Sequence, residues 1–312
     1  MNSKIIIPIL VGPTAVGKTA ISIPLARKMN AEIISADSRQ IFKHMNIGTA
    51  KPSGDELDAV LHHLVDILEL DEVFTAGQFA EDALKIIEDI LARGKAPLIV
   101  GGSGFYIKAL VAGIFDTPSR DDEVREALQT EADERGSQAL YSRLRNIDPE
   151  YAETMHPNNT RRIIRALEIY EVTGEPPAEH FEEEHEGLRY PYTFIGLKRP
   201  RQKLYDRINR RVEQMIEDGL VQEVQSILGI GYTGEENALQ TVGYQEIFDY
   251  LNENISLEEA RKEIQKNTRR YAKRQMTWFR NQHDVTWFDL DKYPNQELVV
   301  EAILEFLKSN TE

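Results

Sequence analysis

Gly12-Pro13-Thr14-Ala15-Val16-Gly17-Lys18-Thr19 fits the pattern G-x-x-x-x-G-K-[ST], with an apolar run before it and a helical run after it. In that setting the glycines let the backbone wrap around a phosphate with its N–H groups turned inward, and the helix start adds the positive end of a dipole. Lys18 supplies a point charge, and the Thr19 hydroxyl is a ligand for Mg²⁺, which bridges phosphate oxygens. The motif says polyphosphate, ATP and other nucleotides included, and leaves open which one is bound and what is done with it. Ordinary P-loop hydrolases also carry an apolar strand ending in an acid that reaches the Mg²⁺ shell. Here Glu32 to Asp37 is a broken apolar run, and Pro97 to Val100 ends in glycine. Asp37 is therefore left for other work, either accepting a proton or capping a turn.

A second kind of chemistry-bearing residue is cationic. Residues 198–211 carry a net +6 and residues 261–280 a net +7, so two short segments hold +13 while the rest of the chain holds −28. The overall charge of −15 argues against a nucleic-acid partner, and the distribution argues the other way. Tyr271, Trp278 and Phe279, interleaved with the second cluster, either stack on unpaired bases or are core aromatics behind a solvated helix face. Arg161, Arg162 and Arg165 form a smaller trio, either anion-facing or a solvated helix face. His62 and His63 are adjacent, and packing or a hydrogen bond is the expected use of each rather than a metal.

To position these groups the chain needs strands that end where the motifs begin. Its 312 residues allow one core plus an insertion, and 41 % hydrophobic with 29 % charged residues is an ordinary globular balance. The absence of cysteine excludes disulfide scaffolds, thiol nucleophiles and thiolate zinc sites. The N-terminal apolar run is too short for a membrane span and has no cleavage pattern, so a cytoplasmic protein is the expectation. Apolar runs at Lys4–Val11, Glu32–Ala36 and Pro97–Val100 alternate with helical spacing at Thr19–Met29 and Ala76–Ala92. Pro8 is expected to limit the first paired strand to Ile9–Val11. Such alternation predicts a parallel α/β sheet of P-loop NTPase type flanked by helices, with ligands beyond the carboxyl ends of its strands.

From about Asp116 to Arg189 strands vanish and charged helical segments take over, for instance Asp121–Glu134 and Asn159–Val172. The expected organisation is a core of residues 1–116 and 195–312, interrupted by an all-helical insertion, 117–194. After it come an apolar stretch Phe194–Leu197, a long helix from Gln202 to Leu228, and another opened by a Ser256–Glu259 capping box and running to about Phe279. A strand at Val285–Leu290 and a helix at Glu297–Leu307 complete the pattern. Glu179–Glu186 reads as a solvated acidic loop.

Several blocks together resemble one family, the bacterial tRNA dimethylallyltransferases, also called tRNA isopentenyltransferases. They are the P-loop, Asp37-Ser38-Arg39-Gln40, Gly48 to Pro52, Gly101 to Tyr106, His156-Pro157-Asn158 with Arg161 to Ala166, Val242 to Gln245, and Arg270 to Gln275 followed by Thr277-Trp278. In order, they span Gly12 to Trp278. The resemblance implies transfer of a dimethylallyl group from dimethylallyl diphosphate to N6 of the adenosine immediately 3′ of the anticodon, with Mg²⁺ on Thr19. It implies that Lys18 and Thr19 act on the diphosphate and Asp37 on the amine. Asp37, Ser38, Arg39, Gln40, Ser103 and the run Arg161-Arg162-Ile163-Ile164-Arg165 face tRNA on the same grounds, and Arg207 and Arg211 grip the diphosphate. A monomer is expected. Many relatives have Thr where Ser103 stands, which keeps the hydroxyl. The alternatives are a small-molecule or nucleotide kinase with an Arg-rich lid and a nucleotide-switched RNA-binding protein.

Overall fold

An unbroken apolar run such as Ile7 to Val11 suits a strand covered on both faces, and in the computed structural model all five residues of β1 (Ile7–Val11) are buried. The structure describes residues 5–113, 121–181, 187–282 and 284–310. Helix α1 (Lys18–Met29) leads to β2 (Ala31–Ala36), then α2 (Gly54–Ala59), the two-residue β3 (His62–His63), α3 (Ala76–Ala92), β4 (Ala96–Gly101) and α4 (Gly104–Ala112). Next come α5 (Asp122–Arg135), α6 (Ser137–Ile147), α7 (Pro149–Glu153) and α8 (Thr160–Thr173). The sheet resumes with β5 (Tyr192–Lys198), α9 (Arg201–Glu217), α10 (Leu220–Gly229), α11 (Tyr244–Leu251), α12 (Leu257–Gln282), β6 (Val285–Asp289) and α13 (Gln296–Ser309).

The strands form one sheet in the order β3-β2-β4-β1-β5-β6, and every pairing is parallel. The chain divides into two compact units, Met1–Val111 with Leu188–Glu312, and Ala112–Gly187. In the first, Ile21 and Leu25 of α1, Leu10 of β1, Ile195 and Leu197 of β5, Ile208 of α9 and Val300 of α13 share a core. In the second, Leu128, Leu140, Leu144, Ile163 and Leu167 pack together from α5, α6 and α8. The end of the core segment expected at residue 116 lies outside the described residues, as do residues 182–186 of the acidic stretch. Among the described residues no helix is long and apolar enough to cross a membrane.

Three expectations are corrected. Pro8 lies inside the paired strand, opposite Thr193 of β5. The Ile7 N–H donates to Pro191 O on the β5 side; by strand alternation the nitrogen of Pro8 faces β4, whose pairing with β1 begins only at Ile9, so no ladder bond is lost. The single helix expected over Gln202–Leu228 is two, because Gly219 takes φ +102° and ends the first run. The apolar spacing continues across the break and conceals it. Tyr192 to Phe194, assigned to the insertion, already belong to β5.

Candidate active site

Parallel strands put their carboxyl ends on one edge, and three chemistry-bearing turns leave from that edge. The P-loop follows β1, Asp37 follows β2, and Gly102-Ser103 follows β4, which lies between the other two. Two strand spacings separate the phosphate loop from the acid, roughly 10 Å in the hydrogen-bonding direction.

The P-loop is shaped by close approaches. A Cβ on Gly12 would meet Leu197 O of β5 at 2.8 Å, and Ala15 adopts φ +62°. No side chain caps α1 at Gly17, so its first amides are available to an anion. Lys18 Nζ folds back onto the loop, donating to Gly12 O at 2.9 Å and Pro13 O at 3.2 Å. Burial lowers its pKa to about 8; the Asp37 carboxylate opposes the shift and Arg211 adds to it. Among the described residues the Thr19 hydroxyl makes no hydrogen bond.

The cations expected to close over phosphate do lie beside the loop. A cavity of about 260 Å³ is lined by Ala15, Arg207, Arg210, Arg211 and Gln214. Arg207 Nε donates to Ala15 O at 3.0 Å, and Arg199 Nε to Val16 O at 2.9 Å. Arg199 is paired with Asp291, but among the described residues no carboxylate pairs with Arg207, Arg210 or Arg211. Burial, then neighbouring guanidinium groups, pull the pKa of Arg207 and Arg211 down. Half-buried like charges without a counterion are a site for an anion. Arg210, three residues after Arg207 on α9, was not singled out as a ligand, although its spacing is the signal. The second cluster packs beside the first, with Arg269 donating to Asn209 Oδ1 and Arg261 paired with Glu213.

At Asp37 the turn-capping reading is met through one carboxylate oxygen. Its Oδ1 accepts from the Arg39 N–H at 2.9 Å and the Gln40 N–H at 3.4 Å, so it caps the turn. Among the described residues Oδ2 accepts nothing, and neither the Ser38 nor the Ser103 hydroxyl has a partner. The Ser103 N–H donates to Ala36 O, which sets the glycine turn against the residue before Asp37. Arg39 and Gln40, expected against tRNA, use side-chain groups internally. Arg39 Nη1 holds Asn237 O and Ala238 O, and Gln40 Nε2 holds Thr49 O and Ala50 O. These bonds fix both side chains at the loop that carries the acid.

Elsewhere the expected residues separate into surface and core. On α8, Arg161 and Arg162 are exposed and Arg165 pairs with buried Glu168. Ile163 and Ile164, expected on the RNA-facing run, are instead core side chains of the second unit. Phe279 is fully buried, with its ring edge-on to Trp278 at 5.0 Å, so it is no stacking platform. Trp278 covers Gly104, where a Cβ would meet its ring at 2.5 Å. Tyr271 is exposed, and so is Phe105, 74 % accessible directly after the glycine turn, a residue sequence reasoning passed over. His63 hydrogen-bonds Glu32 at the opposite edge of the sheet, and among the described residues no His, Cys, Asp or Glu cluster could hold a metal.

A family model described as IPP transferase matches residues 40–282, which begins after the P-loop and includes Asn237, Arg207 to Arg211 and Gln275. The chain belongs to this family. A protein named tRNA dimethylallyltransferase from Geobacillus thermodenitrificans is 47 % identical over 98 % of this chain and 97 % of its own length. Another of that name from Thermoanaerobacter sp. is 46 % identical over 96 % and 97 %. Among solved structures, a tRNA isopentenylpyrophosphate transferase from Bacillus halodurans superposes with a TM-score of 0.74 at 42 % identity, covering 99 % of this chain and 97 % of that one. A eukaryotic dimethylallyltransferase described as acting on tRNA gives 0.81 at 30 % identity, over 99 % and 80 %. The fold is of P-loop type, as the alternation of strands and helices predicts.

Proposed function

We propose that this transferase moves a dimethylallyl group from dimethylallyl diphosphate to N6 of the tRNA adenosine immediately 3′ of the anticodon, releasing diphosphate. The carrying observation is the pairing of a cationic pocket on a P-loop, its arginines without an ion-pair partner among the described residues, with a carboxylate, Asp37, two strand spacings away, in a chain whose relatives are named for this activity. The P-loop amides, Lys18, Arg207, Arg210 and Arg211 receive negative charge as the allylic C–O bond breaks. The new bond joins that carbon to N6. The amine's proton passes to Asp37, whose Oδ1 is held by the turn and whose Oδ2 is open to the base. No phosphoryl group moves, which accounts for a P-loop without an acid at the Mg²⁺ shell.

Thr19 fits Mg²⁺ only as a single hydroxyl ligand, so the ion would arrive with the diphosphate and keep several waters. When bound it neutralises charge on the leaving group. An adenosine displaced from the anticodon stack needs compensating contacts, for which the Ser38 hydroxyl after β2, the Ser103 hydroxyl after β4 and the exposed Phe105 ring are the candidates. Arg161 and Arg162 offer exposed charge to an RNA backbone. Incubation with an anticodon stem-loop and labelled dimethylallyl diphosphate tests the reading. Label on the RNA is expected; ATP hydrolysis or phosphate transfer with unlabelled RNA overturns it in favour of a kinase or a nucleotide switch.

A further inference from the structure

Gln275 projects from the last third of α12 into the carboxyl edge of the sheet, and the residue is buried at 7 % accessibility. Its two amide ends serve two loops distant in sequence. Nε2 donates to Gly102 O at 2.9 Å, and Oε1 accepts from the Thr14 N–H at 2.8 Å. Thr14 is the third residue of the P-loop. Gly102 precedes Ser103, whose own N–H holds Ala36 O beside Asp37. A continuous line of hydrogen bonds thus runs from the diphosphate cradle, through one amide, to the turn that carries the proton acceptor. Neighbours on the same helix face line the same edge: Tyr271 stands one turn before Gln275, and Trp278 packs over Gly104.

Residue chemistry restricts what can stand here. One end must donate to a carbonyl and the other accept from an amide, which a glutamine does and an ionised glutamate, a methionine or a leucine does not. The space is equally specific, since a Cβ on Gly102 would lie 2.3 Å from Gln275 Nε2 while its next contact is at 3.4 Å. A methyl group at 102 therefore displaces the amide without moving backbone. We propose that Gln275 is a positioning residue that fixes the diphosphate cradle relative to the Asp37 turn, and so sets the distance between the allylic carbon and the attacking amine. This rests on the prenyl-transfer reading. Its consequence for rate is large, because misplacing reacting groups by about 1 Å costs on the order of 10²-fold.

The test is a cycle of Gln275→Ala, Gly102→Ala and the double variant, with kcat and KM measured for both substrates per folded molecule. Each single variant is expected to lower kcat by about 10²-fold with either KM changed less than about threefold, the pattern of an interaction that matters in the transition state. The double variant is expected to be no slower than the slower single. Losses that multiply, or that appear only in KM or in the folded fraction, overturn the proposal. Gln275→Glu adds a pH signature: protonated, it again donates to Gly102 O and accepts from Thr14, so its kcat relative to the parent should rise as pH falls from 8 to 6. A ratio independent of pH counts against the strut. Hydrogen exchange at the Thr14 amide reads the bond without any reaction, and it should quicken by at least about tenfold in Gln275→Ala. Unchanged exchange overturns the bond itself. Exchange that quickens while the parent protein leaves RNA unlabelled overturns the transfer reading, and with it the catalytic role proposed here.

Discussion

The two edges of the sheet use charge in opposite ways. At the amino edge Glu32, at the start of β2, is 1 % accessible, yet its oxygens meet Arg93, Lys95 at 2.9 Å and His63 at 2.8 Å. Hydrogen bonds from Arg93 hold its carboxyl well below the usual range, with those from Lys95 and His63 adding to the effect and burial opposing it. At the carboxyl edge Lys18, Arg207, Arg210 and Arg211 gather beside the P-loop with no carboxylate among the described residues paired to the arginines. The first arrangement is complete without a ligand. The second keeps three arginines that no ion pair among the described residues offsets, so pairing distinguishes the two clusters where charge count does not.

Removing the partner on the paired edge should give the largest loss of stability. Glu32→Gln leaves Arg93, Lys95 and His63 around a neutral amide and is expected to destabilise by about 3 kcal/mol, near the low end for a broken buried pair because Arg93 and Lys95 also reach water. Denaturant unfolding measures it, and the KM for either substrate should not change. Since the folded pKa is depressed, the contribution is present above about pH 4 and is lost as pH falls below that. Asp37→Asn inverts the outcome. The amide oxygen still caps the turn, so the melting temperature should move little, while turnover falls by at least about 10²-fold for want of a proton acceptor. Full turnover in that variant removes Asp37 from the chemistry.

The same contrast marks what could be read in advance. Gly12 to Thr19 announces itself, because its spacing, its flanking strand and its helix all agree, and Asp37 stands out once no other acid serves the loop. The parallel sheet follows from alternating apolar runs. What the residues alone withheld depends on side chains meeting across distant segments: Gln275 with Thr14, Arg39 with Asn237, or Glu32 with Arg93. Helix spacing also failed where it stays in phase across a break, as at Gly219, and it could not distinguish Ile163 and Ile164 in a core from Arg161 and Arg162 outside it.

On the unpaired edge, smaller effects should run against intuition. Arg211→Gln removes a half-buried cation from a group of like charges, so the ligand-free protein should melt no lower than the parent, while affinity for inorganic diphosphate falls by about tenfold. Calorimetric titration and thermal melting of one variant decide it, and a loss of both would mean the arginine is structural after all.

Proton linkage gives the finest distinction. Lys18 has its pKa lowered from 10.5 to about 8 in the empty site, because burial disfavours the charged form. The unfolded chain keeps that proton to higher pH, so this group makes the empty protein more stable as pH rises from about 8 towards 10, whereas Glu32 withdraws stability as pH falls below about 4. Binding has the reverse dependence. A diphosphate needs the ammonium, and titration at pKa 8 predicts an affinity about fourfold weaker at pH 8.5 than at pH 7. Lys18→Met, measured over the same range, retains the ligand's own protonation and loses only the lysine's share. If the variant and the parent weaken in parallel, the buried ammonium is not what the anion meets, and the unpaired charge at this edge rests on the arginines alone.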